Sequence, residues 1–279
     1  MSEQRKKILR SSELIKESFP GNFKPSTALI IEDSFDILNG ITIKGEIDFD
    51  KVFPVNENSP GPKGKVLFAK CGSKDIIIFQ GRMHYYDGFH MREIGHTVYT
   101  LKYLGIKKIL SVDEAGLLNP RFKCGDLAIV YDHVNLTGDN PLIGRNDDEL
   151  GIRFPDMSNA YDKDLYGVIY RIFQKEMMKM NESVYLGISG PQTETEAESR
   201  FYRDIGADVL GYSLVPENIT SVHAGIKFAG IALLTRELIA DKMMEDERTE
   251  SQMNMDQIMN RKAASNELGR VLKEILENI

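Results

Sequence analysis

The stretch Lys74-Asp75-Ile76-Ile77-Ile78-Phe79-Gln80-Gly81-Arg82-Met83-His84-Tyr85-Tyr86-Asp87-Gly88 decides the fold. Residues 74–79 are a short run of mostly β-branched and aromatic side chains, which predicts a strand buried on both faces. Gly81 ends it, and the chain leaves through a polar, glycine-bounded exit that carries Arg82 and His84. Immediately before it, residues 65–71 form a second apolar run, joined to the first by Gly72-Ser73, so the two read as a hairpin. Outward from the hairpin, strand-like and helix-like segments alternate. Strands are read at 28–31, 108–112, 126–131, 184–189, 208–210 and 227–234. Helices are read at 4–18, 91–104, 163–180 (after a Tyr161-Asp162 cap signal), 194–205, 215–224 and 256–277. Residues 55–63, rich in Asn, Pro and Gly, read as a loop and not a domain boundary. This alternation predicts an α/β fold: a single domain over 1–279 with a central mixed, largely buried sheet flanked by helices. Ligands in such sheets sit at the carboxyl ends of strands, which directs attention to the strand exits.

Composition sets the bounds. The chain has 279 residues, 42% hydrophobic and 28% charged, enough to bury a core without staples. Thirty-five Lys and Arg against 42 Asp and Glu leave a net charge of −7, which argues against a nucleic-acid partner. No apolar run is long enough for a membrane span, and Met1-Ser2-Glu3-Gln4-Arg5-Lys6-Lys7 leads into no apolar segment of a signal peptide. Cys71 and Cys124 are too few for a metal or disulfide framework, and a reduced, cytoplasmic chain is expected.

Four polar clusters stand at strand exits. Arg82 and His84 follow the strand ending at Phe79; Arg supplies a fork and His a third donor, together suited to an anion. A structural ion pair in a surface loop is the plainer reading. Asp113-Glu114-Ala115-Gly116-Leu117-Leu118-Asn119-Pro120 is a turn-rich exit. Gly190-Pro191-Gln192-Thr193-Glu194 opens a helix, so Glu194 either complements the helix dipole or accepts from a ligand N–H. Gly211-Tyr212-Ser213-Leu214-Val215-Pro216-Glu217 offers Ser213 as an N-cap or as a hydroxyl aimed at an anion or sugar.

Taken in order, these clusters resemble the trimeric purine nucleoside phosphorylases, a family that includes the methylthioadenosine phosphorylases. Further matching elements are Asp132-His133-Val134-Asn135, Asn140-Pro141-Leu142-Ile143-Gly144, Arg153-Phe154-Pro155-Asp156-Met157-Ser158 and Gly206-Ala207-Asp208. They run from about Pro25 to the last helix. The resemblance implies a pentosyltransferase of nucleoside metabolism and purine salvage. Phosphate attacks the anomeric carbon of a purine nucleoside and gives free base and ribose 1-phosphate. Inorganic phosphate is then the co-substrate, with no other cofactor and no metal. By the resemblance, Arg82, His84 and Ser213 contact phosphate, Tyr86 the ribose, and Glu194 the purine. Tyr212 fills the place of a Met packed on the sugar. Phe154 matches the aromatic lent to a neighbouring subunit, which implies a homotrimer.

The sequence also departs from the family pattern. Glu32-Asp33-Ser34 replaces a Gly-Ser-Gly turn, so Asp33 is aligned with the phosphate-binding serine. A carboxylate about 4 Å from phosphate costs ~1–4 kcal/mol, depending on the local dielectric. Glu114 stands where a small residue offers its N–H to phosphate, and Thr193 replaces an aromatic near the base. Thr235-Arg236 replaces a Thr-Asn pair that contacts the purine. Met255 falls near the histidine that many members place at the ribose 5′ hydroxyl. Two expectations follow: Arg82 pairs with Glu114 or Asp33, and Arg236 either reads the 6-oxo edge of the base or folds onto Glu194 or Asp241. Two other activities compete with phosphorolysis, hydrolysis by water activated at Glu32 or Asp33, and ligand binding without catalysis.

Overall fold

In the computed structural model, which describes all residues except 54–60 and 245, the hairpin forms as read. Strands β3 (Lys65–Cys71) and β4 (Lys74–Gln80) pair antiparallel. They are preceded by α1 (Glu3–Glu17), β1 (Thr27–Ile31), β2 (Thr42–Asp48) and the one-turn α2 (Phe49–Val52). After them come α3 (Met91–Tyr103), β5 (Lys108–Leu117), β6 (Leu127–Asn135), α4 (Lys163–Lys175) and β7 (Glu182–Gly187). The chain ends with α5 (Glu196–Asp204), β8 (Val209–Gly211), α6 (Leu214–Ala224), β9 (Lys227–Glu237), α7 (Ala240–Met244) and α8 (Glu250–Asn278).

The strands join one mixed sheet in the order β2-β3-β4-β1-β5-β8-β7-β6-β9, and β5 pairs with β9 as well. That extra pairing closes β5, β8, β7, β6 and β9 into a ring, from which the other four strands extend. β1 lies between β4 and β5, parallel to both, and every one of its residues is buried. Alternation along it feeds two cores: Ala28 and Ile30 pack with Ile8, Ile15 and Val98 of α1 and α3, while Leu29 and Ile31 pack with Leu268, Leu272 and Ile275 of α8. Each fully buried Ile, Leu or Val side chain among them contributes about 1.5–3 kcal/mol.

Several boundaries differ from the sequence reading, for local physical reasons. β2 was not expected because Thr42-Ile43-Lys44-Gly45-Glu46 buries none of its side chains; it exists because β3 offers it an edge. β5 and β9 run on to Leu117 and Glu237, pairing with each other past the apolar stretch. α4 stops at Lys175 and not 180, since Met177 turns to φ 52°. α5 starts at Glu196 behind a capping box of Thr195 and Glu198, so Glu194 precedes the helix and does not open it. α8 begins at Glu250, where Thr249 and Gln252 form another capping box, six residues earlier than read. Residues 55–60 of the expected loop lie outside the described residues; 61–64 are irregular.

Candidate active site

The exits of β1 and β4, parallel neighbours, meet β5 along its middle at residues 111–114, and β8, antiparallel to β5, ends beside them. Arg82 lies at the centre, with a side chain only 3% exposed. Its Nε donates to Glu217 Oε1 at 2.7 Å and its Nη1 to Glu32 Oε1 at 2.7 Å. Its Nη2 donates to Ser111 Oγ and to the Val112 carbonyl, each at 2.9 Å. Asp113 is a further 4.0 Å neighbour. The expected pairing with Glu114 or Asp33 is therefore incorrect. Asp33 is exposed and borders a different cleft beside Glu46 and Asp48, because the chain turns directly after β1, with the Phe35 N–H donating to the Glu32 carbonyl at 3.3 Å, and Asp33 lies on the outside of that turn. Glu114 points toward α8, where it accepts from Arg261 Nε at 2.6 Å, Gln257 Nε2 at 2.6 Å and Thr235 Oγ1 at 2.7 Å.

Glu32 occupies the ground in front of Arg82. Its second oxygen is 3.3 Å from His84 Nε2, and His84 Nδ1 lies 3.1 Å from Ser213 Oγ. Ser213 starts α6, yet its hydroxyl makes no cap bond; it serves His84. Burial raises the Glu32 carboxyl, but the charges of Arg82 and His84 overcome this and hold it at about 2. Burial likewise disfavours the charged imidazole of His84, and the Glu32 hydrogen bond and charge reverse that and push it up. Asp113 accepts from Tyr185 Oη, from the Glu114 N–H at 2.9 Å and from the Ser213 N–H at 3.3 Å. Burial dominates there and lifts its carboxyl to about 6.

A cavity of about 390 Å³ opens over this cluster, lined by Glu32, Ser34, His84, Asp113, Ser213 and Arg261 on one side and by Tyr86, Thr193, Tyr212 and Arg236 on the other. Arg82 is not among its lining residues; it lies behind Glu32 and Asp113. Ser34, one position later than the alignment suggested, is the serine that reaches the cavity. The Tyr86 ring stacks on His84 at 4.7 Å and meets Tyr212 edge-on at 5.7 Å.

Beyond Tyr212 stands Glu194, its side chain 1% exposed. Glu194 Oε1 accepts from Tyr212 Oη at 3.2 Å, and Arg236 Nη2 donates to the same hydroxyl at 3.0 Å. Arg236 Nη1 lies 3.6 Å from Glu194 Oε2, an oxygen that is buried with no hydrogen bond among the described residues. Arg236 thus folds toward Glu194, one of the two arrangements expected; Asp241 instead neighbours Arg200 at 3.7 Å. Arg236 owes its position to a bulge: Ala115 pairs with Leu234 and Gly116 with Arg236, leaving Thr235 as the extra residue. Glu194 also lines an adjoining cavity of about 590 Å³, and the two cavities share Thr193, Arg236 and Gln257.

Arg82, His84, Ser213, Glu194, Tyr86, Tyr212 and Arg236 are therefore brought together. Met255 is not: it is 59% exposed and lines neither cavity, because Gln257 and Arg261, one turn apart on α8, hold the inward face. Phe154 is 84% exposed and borders a separate surface cleft with Ile143 and Met157. Sequence reasoning missed Asp113 as a cavity wall, Glu217 as the partner of Arg82, and Arg261 with Gln257. The four-residue spacing of the last two was the one signal available.

The chain and its fold have counterparts among known proteins. Residues 44–277 match the phosphorylase superfamily. The chain is 36% identical over 252 residues to purine nucleoside phosphorylase 1 of Bacillus subtilis (strain 168), covering 86% of this chain and 91% of that protein. It is 33% identical over 269 residues to the purine nucleoside phosphorylase of Mus musculus, covering 92% and 90%. Isoform 2 of purine nucleoside phosphorylase from Schistosoma mansoni, solved in complex with cytosine and ribose-1-phosphate, has a TM-score of 0.85 at 29% identity, over 97% of this chain and 95% of that one. The chain belongs to the purine nucleoside phosphorylase family.

Proposed function

We propose that the protein cleaves purine nucleosides with inorganic phosphate, releasing free base and ribose 1-phosphate. One observation carries the reading. A single cavity has a polar end, where Ser34 and Ser213 are donors and His84 orients Ser213, and a second end at Tyr212 and Arg236 beside Glu194, with the Tyr86 ring between them. A phosphate oxygen attacks C1′ of the ribose, the C1′–N bond breaks, and the bonding pair leaves with the base. The transition state is positive on the sugar and negative on the base. The anion beside C1′ stabilises the first charge, and the Arg236 guanidinium stands where the second develops. With both His84 nitrogens protonated, Nδ1–H donates to Ser213 Oγ, which leaves the serine proton free for phosphate.

Hydrolysis fits the same cavity less well. Glu32 is its candidate base, and a carboxylate held at about 2 by Arg82 and His84 is a weak one. The test is base release from inosine, guanosine and methylthioadenosine, with and without phosphate. Phosphate-dependent release with equal formation of ribose 1-phosphate is expected; release at an unchanged rate without phosphate would overturn the reading.

The proposal extends to a homotrimer in which Phe154 of one subunit covers the cavity of the next, supported by the exposure of this ring beside Ile143 and Ile152. Phosphate is the co-substrate and no further cofactor is required. A cytoplasmic setting is part of the same proposal, supported by two cysteines that form no disulfide; among the described residues no helix is long and apolar enough to cross a membrane.

A further inference from the structure

The anion end of the cavity contains an anion of its own. Glu32 faces it with a side chain 16% exposed, and it is held from behind by Arg82 Nη1 at 2.7 Å and from the side by His84 Nε2 at 3.3 Å. Arg82 cannot turn to an incoming oxyanion without breaking its bonds to Glu217, Ser111 and Val112, so the cation that neutralises Glu32 also fixes it in place. Asp113 adds a second acceptor to the wall. An ionised carboxylate accepts hydrogen bonds and donates none, and each oxygen of Glu32 has a lone pair to spare. An oxyanion entering beside it must bring a proton or set lone pair against lone pair.

We propose that Glu32 is a specificity-determining residue that restricts the anion subsite to oxyanions retaining a hydroxyl at neutral pH, admitting phosphate and arsenate and rejecting sulfate. The inference rests on the phosphorolysis reading and names how that subsite chooses its co-substrate. Phosphate keeps at least one P–OH across the neutral range and donates it to Glu32, while Ser34 and Ser213 donate to its other oxygens. Sulfate has the same shape and no proton, and it meets Glu32 as an unrelieved like charge. The low carboxyl pKa of Glu32 is consistent with this role, since the residue stays an acceptor under all working conditions.

Titration calorimetry of the full-length protein with phosphate, arsenate and sulfate at neutral pH tests it directly. Phosphate and arsenate are expected to bind with similar affinity and sulfate about 100-fold more weakly. In Glu32→Gln, whose amide both donates and accepts, sulfate should gain and the ratio should fall to about tenfold or less. Glu32→Ser, with a shorter side chain, should lower the ratio in the same sense. Sulfate binding as tightly as phosphate to the unmutated protein would overturn the proposal. So would a Glu32→Gln variant that binds both anions more tightly at an unchanged ratio, since Glu32 would then be a mere competitor that yields its place. These ratios are measured without turnover, whereas failure of the phosphorolysis reading appears separately, as base release that ignores phosphate.

Discussion

Arg236 and Asp113 show how single residues set this site apart. A guanidinium only donates, so Arg236 suits purine N7 and a 6-oxo oxygen and leaves a 6-amino group facing a cation. Its Nη2 donates to Tyr212 at 3.0 Å and its Nη1 lies 3.6 Å from Glu194, so a base is read only through the N–H groups these contacts leave over. Inosine should exceed adenosine in kcat/KM by a factor equivalent to about 1–3 kcal/mol, and Arg236→Asn should remove that preference. Equal kcat/KM for the two nucleosides in the unmutated protein would show that Arg236 does not read the base. Asp113, Glu32 and His84 each contribute to the pH dependence. Its folded carboxyl, lifted by burial to about 6, lies above the ordinary value, so the folded state binds more protons than the unfolded one. Lowering the pH from about 6 through the ordinary carboxyl range therefore favours folding at this residue. Glu32 works oppositely: its contribution is complete above the ordinary carboxyl value and is lost as pH falls toward about 2. His84, raised in the fold, contributes below the ordinary imidazole value, and the contribution is lost as pH climbs through the raised one. For binding, protonating Asp113 removes a negative charge from the cavity wall. KM for phosphate should fall as pH drops from neutral toward about 6, and Asp113→Asn should flatten that profile.

At the scale of elements, α8 and the β5–β9 pair hold the site shut on one side. Glu114 sits within β5 with three donors: Arg261 and Gln257 from α8 and Thr235 from the bulge in β9. Removing Arg261 leaves a partly buried carboxylate without the cation that pairs with it at 2.6 Å. Arg261→Ala should therefore cost about 1–3 kcal/mol of stability and raise KM for phosphate. Adding Glu114→Ala should restore most of both, and a double-mutant cycle in thermal unfolding and kinetics measures this coupling. β8 has a different constraint. A Cβ at Gly211 would meet the Tyr185 hydroxyl, which donates to Asp113. Gly211→Ala should push Tyr185 away and disturb Asp113, seen as a shifted pH profile for phosphate in a protein that still folds; an unchanged profile would show that Tyr185 has room to move.

For the whole molecule, the cavity is open where Phe154, on another part of the surface, could close that of a neighbour. The sedimentation mass should be three times the 31.6 kDa of the chain. Phe154→Ala should lower kcat/KM at least tenfold while leaving the unfolding temperature near that of the unmutated protein. A monomer at micromolar concentration would remove the intersubunit role.

Local chemistry in the chain determined the strands, most helices and the clustering of polar residues at strand exits. Runs such as Ile76-Ile77-Ile78-Phe79 have only one way to bury both faces, and Gly81 leaves Arg82 beyond the strand end. The family follows from the order of those exits, and so do Arg82, His84, Ser213, Glu194 and Tyr212 as neighbours. What the sequence could not determine was which charge meets which. Asp33 and Glu32 are adjacent in the chain, yet the turn after β1 leaves one facing solvent and the other facing Arg82. Glu114 was free, by sequence, to face Arg82; the helix carrying Arg261, 147 residues away, decides otherwise. The edge strand β2 and the site-facing Gln257 and Arg261 of α8 were equally hidden, because these residues carry little apolar signal and their placement comes from the surface that receives them. Ion pairing is long-range in sequence and short-range in space, so only the packed structure selects the partners.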